Sequence, residues 1–186
     1  MNFDEDIKIV GDKPSATVRL NKMKEALSLE YSQKDGDNAK KLGKIIAHKY
    51  IEEILSTEQS EVAESFEVLS QIKLILSFTA TVGFEQFCKN DSLSGLAQKS
   101  FIDTLSSENE RLYKESSDMG AFSFYYLAFR RGGDIERRMG QTFAMLCSSD
   151  GDSILQERGE ALYCWFSAVI RKTVSELSLD SQSIQT

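Results

Sequence analysis

The sequence predicts an all-α fold: a single-domain bundle of six to eight helices around one long central helix. Three observations carry this expectation. Only one proline occurs, Pro14, so no ring interrupts a helix in the rest of the 186 residues. Apolar side chains recur at helical spacing in segment after segment, and turn or capping residues punctuate them. Strict alternation, the mark of a half-buried strand, occurs only in "DIKIV" within an extended N-terminal arm, residues 1–13.

After the arm, a domain over 14–178 is read helix by helix. Helix one covers 16–32, with Val18, Met23, Ala26 and Leu27 near one face. A second follows "KDGD", where Asp37 is expected as its cap, and Ala39, Leu42, Ile46, Tyr50 and Ile54 form one stripe. The third begins near Thr57 or Ser60 and runs to about residue 82, directing Val62, Phe66, Leu69, Ile72 and Leu76 inward. From Ile72 it is apolar all round, which makes it the central element. Its run "IKLILSFTATVGF" carries only Lys73 as a charge and falls short of the ~20 residues that span a bilayer.

Shorter signals follow. "NDSLSGLAQKSFIDTLSS" reads as a helix capped near Ser92, and "SENE" from Ser107 has capping-box spacing to Glu110. Helices over 118–131, 135–148 and 154–178 take Asp118, Asp134 and Asp152 or Ser153 as caps, and residues 179–186 read as a frayed tail. A rival architecture, an irregular helical repeat, rests on "FYYLAFRR" and "WFSAVIRK" at a 41-residue offset, but no third copy exists.

Hydrophobic residues at 41% and charged residues at 27% are ordinary for a globular chain. Three cysteines without C-x-x-C spacing, and an acidic start with no basic-then-apolar leader, point to reduced thiols in a cytoplasm. A net charge of −7 opposes nucleic-acid binding. Only one stretch reverses the sign: residues 111–140 carry +2, whereas 61–110 carry −5.

Catalytic chemistry is poorly supplied. His48 is the sole histidine and falls opposite its helix's apolar stripe, and E-x-x-H, G-x-S-x-G, G-x-x-x-x-G-K-[ST] and G-x-G-x-x-G are all absent. The two "DGD" tripeptides lack the later ligands of a calcium loop and read as turns. No metal and no cofactor is expected.

The stretch "GAFSFYYLAFRRGGDIERRMG" carries the site expectation. Arg130, Arg131, Arg137 and Arg138, beside Tyr125 and Tyr126, are residue types that grip an anion or a partner protein, though a capped hairpin with a solvated basic face needs nothing more. The preceding helix is apolar all round: Phe122, Tyr125, Tyr126 and Phe129 share one face, Phe124 and Leu127 the reverse. Such a helix is buried on two sides, here assigned to the centre of the monomer, the alternative being a second face that meets another molecule. Trp165 is assigned to the core. Phe122, Phe124, Leu127, Phe129 and Trp165 are the candidate apolar interface or pocket.

The expected function is a non-catalytic, cytoplasmic protein acting in protein–protein interaction or regulation and self-associating as a homo-oligomer, with no nucleic acid and no membrane. The alternative is a small-ligand sensor or carrier with an aromatic pocket between the 118–131 helix and the Trp165 helix.

Overall fold

A computed structural model describes residues 31–59, 65–116 and 119–180. Among them lie seven helices and no strand. The helix expected over 16–32, apart from its last two positions, and the "DIKIV" strand lie outside the described residues.

The first described helix, α1, is Gln33–Glu58. Its cap is Ser32, whose hydroxyl accepts from the Asp35 backbone N–H at 3.1 Å. Asp37 is therefore inside the helix, not at its start. It is Asp35 that lies in the first turn, where it complements the helix dipole, and "DGD" alone does not separate a first-turn aspartate from a capping one.

Helix α2, Phe66–Phe87, starts later than expected because Thr57 still belongs to α1, and Ser65 caps it. It also runs past Gly83, whose bare Cα admits the Ile170 side chain. Its 22 residues reach the length and mean hydropathy (1.2) of a membrane span, but 72% of that window is buried inside the protein, as suits a core helix. Every other described helix touches it. The expectation of a bundle around one long helix holds.

Helix α3, Asp91–Glu108, is capped by Asn90 rather than Ser92, and the six-residue α4, Glu110–Glu115, by Asn109. Ser107 is still within α3, so "SENE" is not a capping box. Helices α5 (Met119–Arg130), α6 (Ile135–Leu146) and α7 (Ser153–Glu176) fall close to the expected spans, with Asp134 and Asp152 as caps. Two tight pairs, α1 with α3 and α6 with α7, flank α2, and α5 lies on α2 and α6.

Aromatic rings fill both sides of α2. Tyr50, Phe101 and Phe84 form one chain of edge contacts at 5.9 and 6.0 Å. On the other side Phe78 meets Phe122, Tyr125 and Phe129 at 5.5 to 6.1 Å. Of the expected tail only Leu179 and Asp180 are among the described residues. Ser178 adopts φ 55°, the Leu179 N–H bonds the Val174 carbonyl at 3.0 Å, and Leu179 is fully buried. That is a helix stop in which a hydrophobic residue after the left-handed position folds back onto the core.

Candidate functional site

The hairpin α5–α6 is assembled by local chemistry. Gly132 and Gly133 take φ 64° and 71°, a left-handed path that a side chain would strain, and the Asp134 carboxylate then accepts from the Arg137 N–H at 3.1 Å. Arg138 returns across the turn and donates to the Gly132 carbonyl oxygen. The turn is thus locked by one of the arginines themselves.

The four arginines do not converge on one point. Arg130 bends back along its own helix, its guanidinium 5.6 Å from the Tyr126 ring centroid and 3.2 Å from the phenol oxygen. Arg131 and Arg138 share an open cleft of about 310 Å³, floored by Ala128 and Thr142 and bordered by Met145 and Asp150. Arg137 is exposed and lines no part of it. No carboxylate among the described residues forms an ion pair with any of the four, unlike Arg111, which is held by Glu58.

The structure separates the two tyrosines. Tyr126 lies with Arg130 at the surface, whereas Tyr125 is fully buried against Phe78 and its hydroxyl donates to the Gln71 side-chain Oε1 at 3.1 Å. Burial first, and then the neighbouring Cys147, push the Tyr125 phenol well above its ordinary range. It is a core residue and cannot serve an anion site.

Helix α5 is likewise not buried on two sides. Ala121, Tyr125 and Ala128 face inward and Phe122 and Phe129 are half-buried, while Phe124, Tyr126 and Leu127 are 49%, 44% and 56% exposed. Its assignment to the centre of the monomer is therefore wrong. The reason is placement: among the described residues, α2 and α6 pack on one side of α5, and no other helix makes extensive contact with it.

Trp165 is also not core. It is 41% exposed and stacks on Phe166 at 5.4 Å, and Phe166, one position on, takes the buried place. Nor do α5 and α7 enclose an aromatic pocket, because they make no extensive contact with each other. An open cleft of about 880 Å³ lies between the ends of α2, α6 and α7. Cys164, Glu136 and Arg171 border it, and the Arg171 guanidinium stands 4.8 Å over the Phe87 ring. Burial, followed by Glu136, Glu160 and Asp134, raises the Cys164 thiol, which opposes a reactive thiolate there.

His48 is exposed, with Nε2 2.9 Å from a Glu108 carboxylate oxygen. No group of three or more metal-ligating side chains comes together among the described residues.

Sequence reasoning missed a buried charge cluster. Lys73, only 8% exposed, is held by Glu58 at 2.9 Å and Glu115 at 2.6 Å, and Arg111 grips Glu58 with both guanidinium nitrogens at 3.0 and 2.8 Å. This ties α4 to α1 and α2. Its only signal in the sequence was a lysine inside an otherwise apolar run.

No protein-family model, no curated protein and no solved structure matches this chain.

Proposed function

We propose that the protein is a non-catalytic interaction module whose docking surface is the outer face of α5 with the neighbouring arginines. The observation that carries this reading is the exposure of Phe124, Tyr126 and Leu127 on a helix whose opposite face packs on the core through Ala121, Tyr125 and Ala128. Large apolar side chains cost free energy in water, about 25 cal/mol per Å², and clustered ones mark surfaces that another molecule covers. Aromatic residues and arginine are the types that dominate binding energy at such surfaces. Guanidinia at the helix end that hold no carboxylate supply directional bonds around the apolar centre.

Catalysis has little to draw on: the one histidine is exposed, and burial shifts the partly exposed Cys164 thiol upward, away from a reactive thiolate. The runner-up, a small-ligand carrier, draws on the open cleft around Arg171 rather than on an aromatic pocket.

A photo-crosslinking amino acid in place of Phe124, in living cells, tests the docking reading. A discrete protein adduct is expected, and the same group at the exposed Lys49 on α1 should give none. Equal diffuse labelling at both positions, or no adduct at residue 124, would remove it.

A further inference from the structure

We infer that the occupant of this docking face is a second copy of the chain, its α5 running antiparallel to the first about a twofold axis; the inference rests on the docking reading above. Gly120, Phe124, Leu127 and Arg131 are all exposed, and they recur at spacings of four, three and four. That is the spacing of a seam between two helices crossing at a shallow angle.

The seam is self-complementary. An isologous contact requires the same patch to fit itself after a half turn, so that residue i meets j and j meets i. Four, three, four reads the same from either end. An antiparallel copy therefore sets Phe124 against Leu127 of the second copy at the centre, twice, and Gly120 against Arg131 at each end. Size agrees with register: the long Arg131 side chain lies over the one position in the seam that has no side chain.

Charge chooses the direction. Parallel pairing would stack Arg130 and Arg131 on the same residues of the second copy. Antiparallel pairing separates the two arginine ends by about 16 Å of helix, twice the Debye length of about 8 Å at physiological salt. The helix dipoles also oppose favourably in this arrangement. A contact built on one helix of about 18 Å falls at the small end of specific interfaces, so the dimer is weak and exchanges readily.

Cysteine crosslinking in a Cys164→Ser background reads the register directly, since Cys88 and Cys147 are buried. Gly120→Cys and Arg131→Cys chains are purified separately, each melting as wild type does, and oxidised alone or mixed. The mixture should form a disulfide dimer at least about tenfold faster than either chain alone, a factor that corresponds to about 1.4 kcal/mol of preference. Adding Phe124→Ser and Leu127→Ser to both chains should abolish it.

Equal crosslinking by Gly120→Cys alone would mean a parallel or unregistered contact and would overturn the inference. No dimer from the mixture would overturn it as well. The photo-crosslinked adduct separates the two failures: a different protein captured at residue 124 leaves the docking face standing and removes only the second copy, whereas no adduct removes both.

Discussion

Lys73 shows how a single residue can fix the arrangement of three helices. Its ammonium is buried, and Glu58 and Glu115 reach it at 2.9 and 2.6 Å. The Arg111 guanidinium first, and Lys73 with it, outweigh burial and hold the Glu58 carboxyl down at about 2. Removing both carboxylates leaves an uncompensated buried charge. Glu58→Gln with Glu115→Gln should therefore cost about 3–5 kcal/mol in urea melts. Lys73→Met should cost less than about 2 kcal/mol, because water and Arg111 still reach the carboxylates it abandons. Equal losses would contradict this. The pH dependence has a fixed sign: a depressed carboxyl contributes above its ordinary pKa and loses that contribution on acidification. The stability gap between wild type and Glu58→Gln should be constant above the ordinary carboxyl value of 4.5 and close as pH falls towards 2. Only the lysine in its apolar run was legible in the sequence; its partners were not, since Glu115 lies 42 positions from Lys73 and only the fold brings them together.

At the scale of elements, glycine separates contacts that must be close from positions that are merely glycine. A methyl at Gly43 of α1 would collide with the Ala97 carbonyl oxygen and stand 2.8 Å from the Phe101 nitrogen of α3. Backbone cannot yield as a side-chain tip can, so Gly43→Ala should destabilise by about 1–3 kcal/mol or more. Gly95, inside α3, has nothing within 4 Å of such a methyl. There alanine should raise stability by about 0.5–1 kcal/mol, because it loses less backbone entropy in a helix. Thermal melts that move both variants the same way would refute the packing described. Elements whose signals are local were legible: Asp134 and Asp152 cap the helices that they precede, and Leu42, Ile46 and Tyr50 face inward as their spacing requires. Trp165 was misassigned because it sits one residue, about 100° of helix, from Phe166, and only the position of the neighbouring helices decides which of the two is buried. The same limit hid the outer face of α5. A helix wheel shows that all sides are apolar, but it cannot say how many sides have neighbours.

For the whole molecule, the account comes down to what covers that face. Among the described residues, six helices pack around α2 and bury most large apolar side chains of α2 and α3, yet Phe124 and Leu127 on α5 stay half exposed. A dimer through α5 removes both from water and leaves the core untouched. Truncating them should thus leave folding stability within about 0.5 kcal/mol, as for other surface positions. Sedimentation velocity from micromolar to several hundred micromolar, on wild type and on Phe124→Ser with Leu127→Ser, tests this most directly. The wild-type weight-average sedimentation coefficient should rise with concentration from monomer towards dimer, while the double variant stays monomeric and equally stable. A wild-type chain that remains monomeric throughout, or a double variant that associates just as strongly, would contradict the account.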